Sequence, residues 1–347
     1  MKELPPPHPA DYPTNQQDSE RAAMRGEFEQ IRKLWAPLAA AAPGAYDLRN
    51  DAAVVTPPAD EELVVTLDTL IEGVHFLADD PPDLLARKAL RVNLSDLAAM
   101  GAKGIGYLLS TAWSARIDDA WMESFAAGMA ADQEEFAIHL LGGDTVRTPG
   151  PATFTITAVG SVPRSRALTR SGARAGDLLF VSGCIGDGAL GLMSRRGELR
   201  YLSLQEQAYL EQAYRLPQPR LALGCALVEL AHAALDISDG LLADVSHVAK
   251  ESGLQATIRT AAVPLSAAAQ SALAAEPELF ETVLTGGDDY ELAFALPAER
   301  APEVEALAAR LELPLTCIGH FSAGEGLHLQ DRSGQPLELA GRGWVHF

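Results

Sequence analysis

Cysteine is scarce in this chain. Its 347 residues hold three, Cys184, Cys225 and Cys317, far apart and odd in number. That excludes a disulfide framework and a thiolate metal cage, and leaves three free thiols in or near the core of a protein kept in a reducing compartment. Long apolar runs are missing too, so no segment approaches the roughly 20 uninterrupted apolar residues of a membrane span. The opening stretch, MKELPPPHPADYPTNQQDSE, has no apolar run after its single lysine and does not read as a secretory leader. Its proline and polar content predicts a disordered extension over residues 1–24. These absences point to a cytoplasmic protein. Positive charge is short as well: 27 Lys and Arg stand against 47 Asp and Glu, a formal net charge of −20. Such a field disfavours nucleic acid and anionic membranes as partners. No G-x-x-x-x-G-K-[ST] occurs, which excludes a P-loop.

What is present is apolar residues enough for a sizeable core, 48% of the chain, at a length that implies about two domains. Phe28, Ile31, Leu34, Trp35 and Leu38 recur at helical spacing over 26–40. β-like runs follow at 52–56 and 62–67. A long helix is predicted from Pro81-Pro82 to about Met100, closed by Gly101. Then come strand 105–113, helix 118–135, and strands 137–142 and 152–162. Residues 163–176, with four arginines and no apolar period, read as a link. The second half repeats the mixture: strand 178–182, helices over 186–231, strand 233–237, helix 240–252, strand 255–259 and helix 266–274. Strands near 292–296, 315–319 and 327–330 close it, with a helix at about 299–311. The fold class is mixed α/β in both halves, without simple βαβ alternation or a short repeat.

The carboxylates occupy positions that call for a reason. On the helix 84–100, Leu85, Ala89, Val92, Asp96 and Ala99 follow one face, so Asp96 shares the apolar stripe. It must be protonated, paired (Lys88 and Arg91 are the nearby cations) or bound to metal. Asp68, Asp144 and Asp236 close apolar strands, Asp239 follows in the turn SDG, and Asp288 and Asp289 follow VLTGG. Strand ends are where α/β proteins place ligand chemistry, although each Asp also suits a turn or an N-cap, and Gly-Gly-Asp suits a tight turn. Hard oxygen donors with few His or Cys nearby point to Mg²⁺, and Mg²⁺ to phosphate chemistry. One G-x-G-x-x-G, Gly186–Gly191, reads better as a strand-to-helix turn than as a dinucleotide loop, because Asp187 inside it would repel a pyrophosphate. Arg170, in the link, has the fork geometry that suits phosphate oxygens.

These residues lie in a series of motifs: GEFEQI (26–31), DAAVV (51–55), TLDTLIEGVHF (66–76), RKALRVNLSDLAAMGAKGIGYLLS (87–110), GGDT (142–145), LTRSGARAGDLLFVSG (168–183), ALDISDGLLADVSHVAKESG (234–253), TGGDDYEL (285–292) and GWVHF (343–347). In this order, from about residue 25 to the end, the chain resembles the thiamine-monophosphate kinases, in the superfamily of aminoimidazole ribonucleotide synthetase and selenophosphate synthetase. The resemblance implies a two-domain PurM-like fold, with domains over 25–163 and 164–347 and an N-terminal β-barrel closed between the subunits of a homodimer. It implies transfer of the ATP γ-phosphate to thiamine monophosphate, with several Mg²⁺ ions and no general base. The implied metal ligands are Asp51, Thr66, Leu67 (through its backbone), Asp68, Asp96, Asp144, Asp236 and Asp239. ATP contacts would be Gly143, Asp144, Arg170 and Ser238, and acceptor contacts His75, Asp288 and Trp344. One departure stands out: Arg49-Asn50-Asp51 replaces the usual Gly-Asp-Asp, keeping only the second carboxylate. The rival readings are another ATP-dependent enzyme of the superfamily and a non-catalytic ligand-binding homologue.

Overall fold

The structure, a computed structural model, describes residues 27–337. Two short helical turns, α1 (Glu27–Gln30) and α2 (Ala36–Ala39), flank a π turn at Ile31–Trp35. The first sheet contains β1 (Glu61–Ile71), β2 (Lys103–Ser114), β3 (His139–Thr148) and β4 (Thr153–Pro163) in the order β1-β4-β2-β3. Its β2–β3 pair is parallel and the other two pairs are antiparallel. Helices α3 (Pro82–Ala99) and α4 (Asp119–Phe136) cover one face of it. An aromatic group at the centre of that core joins Trp113, Trp121, Phe125 and Phe154, and Trp35 stacks on Trp113 at 6.2 Å.

The second half begins with β5 (Asp177–Ser182), α5 (Asp187–Arg195), α6 (Leu204–Arg215) and α7 (Leu221–Leu227). It continues through β6 (Ala233–Asp236), α8 (Leu241–Ser252), β7 (Gln255–Arg259), α9 (Ala267–Ala275) and α10 (Leu279–Thr285). It ends with β8 (Leu292–Pro297), α11 (Ala301–Leu311), β9 (Leu315–Ser322), β10 (Gly326–Gln330) and β11 (Pro336–Leu337). These strands form one sheet in the order β11-β10-β7-β9-β5-β8-β6. Leucines and valines of α8 pack on one of its faces and those of α7 and α11 on the other. Ala98 and Ala99 of α3 belong to the latter core, so α3 is shared by both halves. Among the described residues no helix is long and apolar enough to cross a membrane.

β1 shows why the sequence pattern matters. Leu63, Val65 and Leu67 alternate onto the face away from α3 and are exposed, at 43%, 61% and 58%. The intervening Val64, Thr66 and Asp68 turn towards α3, as the two-residue period of a strand requires.

The structure corrects several expectations. Residues 52–56 form no strand: Val54 donates a single backbone bond to Gly44 O at 2.9 Å, and Pro57-Pro58 then remove two ladder donors. The helix expected over 26–40 is broken into short turns just before Pro37, which lacks an N–H. The helices expected over 186–231 are present, as three separate ones. The strand expected to stop at 142 runs on to Thr148, so Gly142-Gly143-Asp144 is extended and not a turn. The glycine is there for close approach, because a Cβ on Gly143 would lie 1.9 Å from Leu109 O of β2. Asp68 likewise lies inside β1, three residues short of its end. Cys225 is exposed, outside the core. Helix α10 and the two-residue β11 have no counterpart in the sequence reading.

Candidate active site

A cavity of about 680 Å³ opens where the two halves meet. β1 supplies Asp68, and the loop after it His75. α3 supplies Lys88, Val92 and Asp96, each one turn from the next. β6 ends at Asp236, the following turn supplies Ser238 and Asp239, and the segment after α10 supplies Gly286, Gly287, Asp288 and Tyr290.

The turns that carry these groups brace each other. Asp288 N–H donates to Ser238 O at 2.9 Å and Tyr290 N–H to Ile237 O at 2.8 Å. They cross so closely that a Cβ on Gly287 would lie 2.1 Å from Ser238 O. Asp244, in the first turn of α8, accepts the N–H groups of Ser238, Asp239 and Gly240 on one oxygen, at 3.0–3.1 Å. Asp289, beside Asp288, points elsewhere and accepts Gly186 N–H at 2.7 Å and Gly188 N–H at 3.0 Å. The G-x-G-x-x-G segment is therefore a strand-to-helix turn held by a carboxylate. Asp187 within it accepts the hydroxyls of Tyr209 and Ser266.

Neither cation expected beside Asp96 pairs with it. Arg91 binds Asp132 through two nitrogens, at 2.7 and 2.9 Å, and Lys88 reaches Asp288. Asp96 instead receives the Thr66 hydroxyl at 2.5 Å and a hydrogen bond from Asp68. Asn93 Oδ1 accepts Asp68 N–H at 3.1 Å, and Ser95 donates to Asp236 at 2.7 Å across the junction between the halves. Burial, and then the charge of Asp96, pushes Asp68 up from the ordinary 3.8 to about 7 and Asp236 to about 8. Burial also raises Asp96, held back by its bonds from Thr66 and Asp68 and by the charge of Arg170. Burial and the Asp239 charge raise Asp244 to about 7.

The candidate residues divide between two places. Asp68, His75, Asp96, Asp236, Ser238, Asp239 and Asp288 border the inner cavity, with Thr66 hydrogen-bonded at its edge. Asp51, Leu67, Gly143 and Asp144, with Asn50, border a second cavity of about 700 Å³ on the outer face of the first sheet. Arg170 borders neither cavity, yet its charge acts on Asp96 and Asp244. Trp344 lies outside the described residues, as does the extension 1–24. His75 Nδ1 accepts Ile71 N–H at 3.0 Å, which leaves Nε2 to carry the ring proton. The sequence reading missed Asn93, Ser95 and Asp244. Asp244 had a signal, an acid five residues after SDG's aspartate at the start of a helix. Asn93 and Ser95 had none, because they act only through tertiary contact.

The donor chemistry fits a hard divalent cation. The inner cavity offers carboxylate and hydroxyl oxygens, and its crowded carboxylates hold protons that a cation would displace. Among the described residues no three acidic, imidazole or thiol groups already converge on one point.

Comparison with known proteins agrees with this geometry. Residues 49–162 match the N-terminal domain of AIR synthase related protein, and residues 174–332 its C-terminal domain. The thiamine-monophosphate kinase of Caulobacter vibrioides is 42% identical over 330 residues, covering 94% of this chain and 92% of that protein. This chain belongs to the thiamine-monophosphate kinase family. Among solved structures of that family, the enzyme from Stenotrophomonas maltophilia K279a superposes with a TM-score of 0.76 at 39% identity, covering 84% of this chain and 91% of that one. AaThiL complexed with AMPPCP and TMP superposes with a TM-score of 0.74 at 30% identity, covering 94% of this chain and all (100%) of that one. The two-domain mixed α/β fold expected from the motifs is thus the family fold.

The raised carboxyls give a pH signature. The folded state keeps protons on Asp68, Asp236 and Asp244 that an unfolded chain releases near 3.8. Each group therefore costs stability as pH rises from about 4, and the full cost is reached once pH passes about 8. In EDTA, the melting temperature should fall between pH 6 and pH 8.5. The fall should shrink in Asp236→Asn, a check made by thermal melts at both pH values.

Proposed function

We propose that this protein transfers the γ-phosphate of ATP to thiamine monophosphate, giving thiamine diphosphate and ADP. The observation that carries the reading is the carboxylate cavity between two domains that both match the family. The AaThiL complex with AMPPCP, an ATP analogue, and TMP supports the choice of both substrates. In this reading the N-terminal domain is 25–163 and the C-terminal domain 164–347, each with a sheet built only from its own strands. Three free thiols suit a cytoplasmic setting.

The site would hold several Mg²⁺ ions on oxygens of Asp68, Asp96, Asp236 and Asp239, with Thr66, Asp51, Asp144 and the backbone of Leu67 completing the set. Bound magnesium would supply neutralisation of the phosphate charge that builds up during transfer. Gly143, Asp144, Arg170 and Ser238 would hold the nucleotide, and His75, Asp288 and Trp344 the acceptor. An acceptor phosphate oxygen forms the new bond to the γ-phosphorus as the bond to the ADP oxygen breaks. That oxygen is already anionic at neutral pH, so no side chain need remove a proton. Asn50, where relatives carry aspartate, leaves one negative charge fewer beside Asp51.

Asp51, Gly143 and Asp144 lie apart from the inner cluster, on the sheet face that exposes Leu63, Val65, Leu67, Leu108 and Val146. An apolar sheet face of this kind calls for a cover. The reading supplies a second copy of the chain, closing the two first sheets into a barrel and bringing the outer cavity to the subunit boundary.

Purified protein with Mg-ATP should convert thiamine monophosphate and leave free thiamine unphosphorylated, read by chromatography; robust turnover of thiamine would refute the acceptor assignment. Asp96→Asn should cut turnover by at least about a hundredfold without lowering the melting temperature, since it removes a repelling charge. Near-wild-type activity at low Mg²⁺ would make Asp96 structural. The wild type should scatter light as a dimer at micromolar concentration and Val65→Asp as a monomer; a monomeric wild type would remove the barrel.

A further inference from the structure

We infer that Lys88 grips the phosphate of the acceptor and is thereby the residue that favours a phosphorylated over an unphosphorylated acceptor; this rests on reading the inner cavity as the kinase site. Lys88 lies in the wall of that cavity, and its side chain is 4% exposed. Its ammonium is held without being satisfied. It sits over the Tyr214 ring, 3.7 Å from the centroid, and Asp288 Oδ1 is 3.3 Å away. That distance exceeds the roughly 2.7–2.9 Å of a charged hydrogen bond, and Nζ makes no hydrogen bond with the protein. Asp288 Oδ1 is already engaged by the Tyr290 hydroxyl at 3.1 Å. A buried ammonium has three N–H donors and is costly to leave without acceptors, so the donors facing the cavity await a ligand oxygen.

The chemistry of the acceptor selects which end it meets. The thiazolium ring of a thiamine phosphate carries a fixed positive charge and is repelled by an ammonium, whereas the phosphate is attracted. Lys88 also stands on the same face of α3 as Asp96, eight residues and about 12 Å of helix axis away. One helix face thus presents a cation at one end and the carboxylate cluster at the other, with Val92 between them. Lys88 also adjoins the groups expected to meet the acceptor. It pairs with Asp288, and the Tyr214 hydroxyl beneath it donates to His75 O at 3.3 Å. Among the described residues, the other lysine or arginine bordering the cavity is the exposed Arg196.

The test measures affinity of the full chain for thiamine monophosphate and for thiamine, by calorimetry with Mg²⁺ and without ATP, alongside thermal melts. Lys88→Gln should weaken thiamine monophosphate by about tenfold to a hundredfold and leave thiamine within about twofold, removing most of the preference. Equal losses for both ligands with a lowered melting temperature would make Lys88 only a counter-charge for Asp288 and overturn the inference. If Lys88→Gln does not fold, Lys88→Arg decides: it keeps the charge and should keep the preference, and its loss in a folded variant would overturn the inference. A wild type that neither binds nor converts thiamine monophosphate would retire the kinase reading itself. A wild type that does both, beside a Lys88→Gln variant that keeps the preference, retires the Lys88 assignment alone.

Discussion

Three carboxyl groups from three different elements meet around one helix. Asp68 comes from β1, Asp96 from α3 and Asp236 from the end of β6; burial raises all three above the ordinary carboxylate range, and the charge of Asp96 adds to the rise at Asp68 and Asp236. No lysine or arginine pairs with them among the described residues. A folded protein tolerates such an arrangement only where the remaining packing holds it. Here the packing is that of α3, whose residues enter the cores of both halves and whose Ser95 bonds Asp236 across the junction.

The same economy separates chemistry from support among neighbouring residues. Asp288 faces the cavity while Asp289 fastens the turn that opens α5. Asp239 faces the cavity while Asp244 gathers the amides that shape its turn. Lys88 faces it while Arg91, one turn on, is spent on Asp132 and Pro217 O. Such pairs explain why an acidic chain concentrates carboxylates at its site and still folds: part of each motif fixes the backbone that the other part uses.

Much of this was legible in the sequence. The α3 periodicity put Asp96 on an apolar face, and the structure places it there. The GG in GGDT read locally as a turn, but its meaning depends on β2 lying against it, which only the tertiary fold reveals. The 52–56 segment had strand-like composition, but two following prolines, which cannot donate to a ladder, left it a loop. The partner of Asp96 was likewise out of reach, since Lys88 and Arg91 are near in sequence while Thr66 and Asp68 are near in space. Asp144 stands apart from the inner cluster because the register of β3 on β2 places it on the outer sheet face, and Asp51 borders the same outer cavity from the loop before β1.

The measurement that bears most directly on this centre is the proton count of magnesium binding. Titrating Mg²⁺ into the metal-free protein at pH 7, in two buffers of different ionisation enthalpy, reads how many protons leave as the ion binds. Because Asp68 and Asp236 titrate near 7 and 8, binding should release protons at pH 7, and Asp236→Asn should reduce the number. Tight magnesium binding with no proton release, the same in wild type and variant, would show that the ion is held elsewhere and would contradict the crowded carboxylate centre.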